Sequence, residues 1–347
     1  MSDYGFTKDT QVLTVRGWVD IEDIKEGDLC LSYSIENGFI VHDKVVEVKV
    51  LTKTEVLETS HKLCSFLHGK DQKWYGWKRL WAKRGTPRQK SYCVFSIPEA
   101  TQEFNIICAA RYRCSSSKVT KQEAAFIGWL LSDGYYRWSK DTKRTSSSFG
   151  KKRGVIGMIA QAQHKFYKEV EEVIDGVGLT YTVHEDNTGI KTSPVNKYYF
   201  KSTEFRDFMD RVVVERLPKA EIDWCSHLLR YGHEEIYEYL YHFWLADGDT
   251  YNSTFGEKKT VITQNSGSVS ESVTLAMFLQ GRRVSTSYKD KNKKCKTLRM
   301  MRSGHLTLQE TSSKHKLTSD TYDLLTENGT YIIRQGGHIS ITCSSAF

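Results

Sequence analysis

The sequence predicts an α+β fold in which a β-rich domain is interrupted by a second domain made of two similar, helix-led halves. Three observations carry this. Two apolar, helix-length runs, Phe126-Ile127-Gly128-Trp129-Leu130-Leu131-Ser132-Asp133-Gly134 and Leu240-Tyr241-His242-Phe243-Trp244-Leu245-Ala246-Asp247-Gly248, each close on a small residue, an aspartate and a glycine. The pattern that follows the first run returns after the second. Both ends of the chain consist of short β-rich runs separated by turn signals.

In chain order, Val12-Leu13-Thr14 and Trp18-Val19 flank Arg16-Gly17 as a hairpin, and Gly27-Asp28 turns into a further strand, Leu29 to Tyr33. Between Lys62 and Lys90 lie Lys70, Lys73, Lys78, Arg79, Lys83, Arg84 and Arg88, with Asp71 as the opposing acid. Trp74, Tyr75, Trp77 and Trp81 are interleaved with them, a mixture suited to phosphate contact and base stacking. Ser115-Ser116-Ser117 and the shift to helical patterning at Val119 mark the first boundary. The leading run then holds Asp133 at the C-terminal end of a buried helix, with Gly134 supplying the turn that ends it.

A strand over Ile159 to Gln163, a helix from His164 to Ile174 and a turn at Gly176-Val177-Gly178 follow. After Asp247-Gly248 come Ile262 to Ser266, a helix from Val269 to Leu279, Gly281, and Val284-Ser285-Thr286. Each half therefore reads helix, strand, helix, strand, and a pseudo-twofold follows if the two leading helices form the interface. Beyond a second boundary near Ser303-Gly304, Asn328-Gly329 between two β-rich runs is the strongest hairpin signal. Gly336-Gly337 and His338 to Thr342 supply the last strand.

Paired carboxylates at helix ends suit a divalent-metal site for phosphodiester cleavage, since oxygen ligands fit Mg²⁺. A Ca²⁺ loop beginning at Asp247 fails because Lys258 stands where the bidentate acid belongs. No P-loop or G-x-G-x-x-G fingerprint is present, so a nucleotide cofactor has no support.

The two runs resemble the paired LAGLIDADG motifs of homing endonucleases. The resemblance implies αββαββα-type halves, with the two helices packed together and their acids side by side over the DNA minor groove. It makes Asp133 and Asp247 the metal ligands and catalytic acids, Gln161 and Gln264 their strand glutamines, and Lys219 the first-half lysine near the scissile phosphate. The second half offers only the cluster Lys291 to Lys296, among which no choice is made. The cofactor implied is Mg²⁺, with Mn²⁺ able to substitute and Ca²⁺ binding without supporting cleavage. The partner implied is a long double-stranded DNA site, the uninterrupted host gene, contacted by strands around 154–159, 180–184, 197–201, 261–265 and 286–300. Lys78, Arg79, Lys83, Arg84, Lys201, Arg282, Arg283 and Lys289 are the candidate DNA-binding residues. Both halves lie in one chain, so a monomer suffices.

The ends resemble the opening and closing blocks of inteins, self-splicing elements with a Hint fold. Gly5-Phe6-Thr7-Lys8-Asp9-Thr10-Gln11-Val12-Leu13-Thr14 leads to Ile24-Lys25-Glu26-Gly27-Asp28, and Thr321 to Ile333 looks like the penultimate block. The resemblance also exposes what is missing. Splicing starts on a Cys or Ser side chain, where this chain has Gly5, and ends on an Asn, where Thr342 precedes Cys343. In the family's Thr-x-x-His motif His61 is kept, but Glu58 stands at the Thr position. Met1 to Tyr4 and Ser344 to Phe347 look like remnants of a host protein.

The expected organisation is a Hint part over 5–117 with a basic insertion, a LAGLIDADG endonuclease over 118–303, and returning Hint strands over 304–343. The net charge of +8 fits a polyanionic partner. The eight cysteines show neither a C-x-x-C pair nor zinc spacing and read as reduced thiols of an intracellular, cytoplasmic protein of a bacterial or phage-infected cell. No stretch reaches transmembrane length, so no membrane partner is expected, and the N-terminus does not read as a signal peptide. Three function classes compete: a metal-dependent DNA endonuclease, a protein-splicing element, and a DNA-binding protein that has lost cleavage. Retention of both aspartates favours the first over the third, and Gly5 with the missing Asn counts against the second.

Overall fold

The structure, a computed structural model, describes residues 3–61, 64–79, 90–96, 104–114, 116–138, 155–186, 194–252, 258–288, 292, 294–301, 303–308 and 313–346. It is a strand-rich mixture of α and β, with six α-helices among the described residues: α1 (Lys121–Leu131), α2 (Tyr167–Gly176), α3 (Ser202–Val212), α4 (Trp224–Leu228), α5 (His233–Asp247) and α6 (Ser268–Leu279). The chain divides into two compact units. One comprises Met1–Cys114, Met277–Thr286 and Met300–Phe347, and the other Ser115–Ala276 and Ser287–Arg299.

In the first unit the segments from the two ends of the sequence share one nine-stranded sheet. Gln11–Thr14 pairs antiparallel with both Gly17–Asp20 and Thr330–Gln335. The long strand Phe39–His61 pairs with Leu29–Ser34 near its start and with Ser313–Thr326 and Cys64–Gly69 further on. A smaller sheet holds Lys73–Arg79, Lys90–Ser96, Phe104–Ile107 and His305–Leu308. Phe6, Val12, Phe66, Trp74, Leu324, Tyr331 and Ile333 fill the core.

The Arg16-Gly17 hairpin forms, with Gly17 at φ +95, a conformation glycine adopts without steric cost. Asn328-Gly329 makes a turn but not a hairpin. The strand before it pairs with Phe39–His61 and the strand after it with His338–Cys343, so the flanking runs part into different ladders. The hairpin lies at Gly336-Gly337, both at positive φ, where Gln335 faces His338.

The two helix-led halves have the same topology. After α1 come strands Gly134–Trp138 and Val155–Ala162, then α2, then strands Tyr181–Asp186 and Val195–Phe200. After α5 come Gly248–Asn252 and Lys258–Asn265, then α6, then Val284–Tyr288 and Cys295–Met300. Each sheet orders its strands first, second, fourth, third. The helix-strand-helix-strand pattern is thus short by two strands per half. The strand right after each aspartate is short and begins at the glycine itself, which masks its period-two pattern.

Candidate functional site

α1 opens with a capping box. Thr120 Oγ1 accepts from Glu123 N at 3.2 Å, and the Glu123 carboxylate accepts from Thr120 N at 2.7 Å. From Ala124 to Leu131 every residue is buried, and α5 packs alongside. The close approach is at Gly128, where a Cβ would lie 2.6 Å from Tyr239 O and 3.1 Å from Phe243 N. The residue matching Gly128 in the second motif is His242, whose Nδ1 accepts the Trp129 indole N–H at 3.0 Å.

The closing glycines do not act as expected. Neither Gly134 nor Gly248 has a positive φ, and Gly248 is extended at φ −84, ψ 153. They are needed for space instead. A Cβ would come within 2.5 Å of Leu130 O at Gly134, and within 2.3 Å of Trp244 O at Gly248.

Each aspartate meets a glutamine from the second strand of its own half. Gln161 Nε2 donates to Asp133 Oδ2 at 3.1 Å, and Gln264 Nε2 to Asp247 Oδ2 at 2.8 Å. The amides are oriented identically, because each Oε1 accepts the backbone N–H of the next residue, Ala162 or Asn265, at 2.9 Å. The register is also the same. Gly134 faces Ile159 and Gly248 faces Ile262, so each glutamine stands two residues past the partner of the glycine that follows its aspartate.

Burial raises the Asp133 carboxyl to about 6, with the neighbouring Asp247 charge adding to it, while Lys165, the Gln161 hydrogen bond and Lys219 oppose the shift. Burial also raises Asp247, against Lys219, the Gln264 hydrogen bond and Lys165. Lys219 is itself buried, which lowers its ammonium to about 8 in spite of both aspartates. Its Nζ donates to Leu130 O and Gly134 O, each at 3.3 Å, and the Trp224 indole N–H fixes its carbonyl at 2.8 Å. An ammonium carries three donors, so one remains for a further acceptor. The site thus joins Asp133, Asp247, Gln161, Gln264 and Lys219, and adds Lys165, an exposed residue in the turn before α2. Sequence reasoning missed Lys165, because four residues past Gln264 the second half has Ser268 and the repeat carries no matching signal. Among the described residues, the two cations acting on the acid pair, Lys165 and Lys219, both precede α5.

No cluster of three or more His, Cys, Asp or Glu side chains fit to hold a metal is present among the described residues. Two carboxylates are what Mg²⁺ asks of a protein when waters and substrate phosphates complete its shell, so the donor set fits that ion better than one needing an all-protein cage.

A second polar centre lies in the first unit, on Gln72, which is fully buried. Its Oε1 accepts from Gly5 N at 2.8 Å, and its Nε2 donates to Thr342 Oγ1 at 2.8 Å and to Cys343 O at 2.7 Å. Gly69 N donates to Gly5 O at 2.8 Å. His68 Nδ1 donates to Gly69 O at 2.8 Å, which leaves Nε2 to accept the Thr59 hydroxyl at 2.8 Å. Burial lowers His68 to about 4 and pushes the Cys343 thiol up to about 12. The histidine that the fold brings beside Gly5 is therefore His68. The backbone of His61 pairs with Cys64, and its side chain lies outside the described residues. Glu58 is half-buried and its Oε1 accepts from Ser65 Oγ at 3.4 Å.

Of the candidate DNA-binding residues, Lys78 lies on the strand Lys73–Arg79, while the Arg79 side chain, Lys83, Arg84 and Lys289 lie outside the described residues. Lys201 precedes α3 and its Nζ donates to Glu204 Oε1 at 2.7 Å. Arg282 is exposed. Arg283 has Nε and Nη1 buried without a partner among the described residues.

No protein-family model and no curated protein matches the chain. Among solved structures, the homing endonuclease I-DmoI in complex with DNA and Mn is 14% identical over 52% of this chain and 89% of its own, at a TM-score of 0.34. The LAGLIDADG homing endonuclease I-GzeII in complex with its DNA target is 9% identical over 51% and 77%, at 0.33. The meganuclease I-SmaMI bound to uncleavable DNA is 12% identical over 53% and 78%, at 0.32.

Proposed function

We propose that the chain is a metal-dependent, site-specific DNA endonuclease of the homing type, with a first unit of Hint type that no longer splices. The observation that carries the endonuclease reading is the duplicated Asp–Gln pair. Two carboxylates reach one buried, cation-flanked place in the same register, and a bland helix end would not be repeated bond for bond. Asp133 and Asp247 would hold Mg²⁺, which when bound activates water and stabilises the charge of the leaving oxygen. Gln161 and Gln264 hold one oxygen of each carboxylate and so orient the other. Lys219 and Lys165 put positive charge where a scissile phosphate would sit, and the remaining N–H of Lys219 can reach a phosphate oxygen. The duplicated sheets would lie along the major groove, reading base edges and phosphates.

The inert Hint reading is supported by the meeting of Gly5 with Thr342 and Cys343 on one glutamine, at a place with no nucleophile on residue 5. The deciding experiment incubates the protein with a plasmid library of randomised sites, with and without Mg²⁺. Wild type should linearise a subset only with metal, and Asp133→Asn and Asp247→Asn should each lower that rate more than about 100-fold while leaving binding nearly intact. Linearisation at the wild-type rate by either variant overturns the site.

A further inference from the structure

We infer that the first unit binds an unpaired nucleotide, one base with its phosphate, in a cleft of its own; this does not depend on the endonuclease reading. The cleft is open, has a volume of about 400 Å³, and has Tyr33, Trp77, Tyr92, Lys90, Arg111 and Arg282 in its wall. No carboxylate lines it among the described residues. That size is near the small end for clefts that take one small molecule, and it cannot seat a duplex.

The aromatic side is a ladder with an open end. Tyr33 and Tyr75 lie 5.8 Å apart with rings inclined at 37°, and Tyr75 stacks on Tyr92 at 6.0 Å and 19°. Tyr75 covers one face of Tyr92, yet Tyr92 stays 52% exposed, so a planar base can continue the stack. The cationic side is partly set in advance. Lys90 Nζ lies 4.5 Å over the ring of Trp77, whose edge contact with His305 is at 5.1 Å. Arg111 and Arg282 are exposed and bring planar forks suited to phosphate oxygens. Backbone approaches backbone beneath them, since a Cβ on Gly304 would lie 2.5 Å from Ala109 O and 2.7 Å from Gly281 O. The segments Ile107–Arg111, Gln280–Arg282 and Gly304–His305 can close the cleft only because these positions are small. A base on Tyr92 with its phosphate between the arginines uses both sides at once, which neither a bare phosphate nor a neutral nucleoside does.

Such a nucleotide could be free or part of a single strand. The test titrates the full chain calorimetrically with deoxyadenosine 5′-monophosphate, with 5′-phosphorylated penta-deoxyadenylate, with deoxyadenosine and with inorganic phosphate. The monophosphate should bind at least about tenfold tighter than deoxyadenosine or phosphate. A pentamer that binds tighter than the monophosphate identifies a strand as the source, and equal binding identifies a free nucleotide. Tyr92→Ala and the pair Arg111→Gln with Arg282→Gln should each weaken monophosphate binding by about tenfold or more, while cooperative thermal unfolding shows each variant folded at the temperature of the titration. Asp133→Asn should leave this binding as it is, so a failed endonuclease reading would not remove it. Absence of saturable monophosphate binding, phosphate binding as tightly as the monophosphate, or full affinity in the variants would overturn the inference.

Discussion

In the second unit Gln161 and Gln264 each spend an N–H on a carboxylate. In the first, Gln72 spends its oxygen on Gly5 and its N–H groups on Thr342 and Cys343. The first arrangement leaves strain of an electrostatic kind: two buried acids raised by burial, with lysines held nearby. The second holds less of it: the Gln72 amide and the neutral His68 end on protein, and the buried Asp323 carboxyl nearby accepts from Ser345 N and the Tyr331 hydroxyl. A place built for a charged ligand keeps unmet electrostatic demand, whereas a place that only joins chain ends satisfies its groups internally. The comparison can be broken from either side.

The largest expected effect is at Gln72. Gln72→Leu strips partners from Gly5 N, Thr342 Oγ1 and Cys343 O inside the core, and should cost about 3–5 kcal/mol in denaturant unfolding, with cleavage chemistry intact at temperatures where the variant is folded. A loss under about 1 kcal/mol would show that water or the chain itself replaces the amide.

Gly5→Cys comes next. Gly5 has φ +88, and a Cβ there would meet Tyr322 O at 2.5 Å. The substitution should cost about 2–3 kcal/mol, and dithiothreitol should release no N-terminal fragment detectable by mass spectrometry. Restoring the nucleophile, even with an Asn inserted before Cys343, therefore has to contend with a backbone settled around glycine. Efficient thiol cleavage of a variant as stable as wild type would refute this.

On the other side, Asp133→Asn should stabilise the protein by about 2 kcal/mol at neutral pH while abolishing cleavage, because it removes a buried charge at the expense of function. The sign follows from linkage. The folded carboxyl titrates near 6 and the unfolded one near 3.8, so the burden on wild type is full above pH 6 and fades as pH falls towards 3.8. The advantage of the variant should shrink over that window. His68 works in the opposite sense. Titrating near 4 when folded and 6.5 when unfolded, it withdraws about 1.4 kcal/mol of stability per pH unit as pH falls between those values, and His68→Gln should remove that slope. Unfolding curves at stepped pH check both.

The smallest effect on stability is expected from Lys78, Arg79, Lys83 and Arg84 replaced by Ala. The change should be within about 0.5 kcal/mol in unfolding, while the slope of log K for DNA against log salt should flatten by roughly 0.9 for each phosphate that is no longer neutralised. An unchanged slope would make the cluster a solvated surface.

Much of this was legible before the structure. Asp133 and Asp247 stood out because an apolar run ending in Asp-Gly occurs twice, and Arg16-Gly17 carries local turn chemistry, whereas the hairpin at Gly336-Gly337 reads in the sequence as part of the last strand. Asn328-Gly329 shows the limit of such signals. A turn residue sets the local bend, but which ladder each flanking strand joins depends on partners far away in sequence. Lys165 and Gln72 were not legible at all, since Lys165 has no counterpart in the repeat. His68 was legible but overlooked: Ser65-Phe66-Leu67-His68 has a hydroxyl residue three before the histidine, where His61 has Glu58.

What the sequence by itself determined is what local periodicity and repetition can encode: two helix-led halves, a carboxylate at the end of each leading helix, β-rich ends that share a domain, and a surplus of positive charge. What only the tertiary structure decided is which groups meet. Gln72 joins residues 67 positions before it and 271 after it, and Lys219 reaches across 89 residues to Leu130 O. The space at Gly5 was decided in the same way, since it lacks room for a Cβ on account of Tyr322 O, a carbonyl that folding brings there. The physical reason is common to all of them. Secondary structure follows from short-range sterics and hydrogen bonding along the chain, whereas desolvation, charge proximity and close packing exist only between segments that the core has brought together.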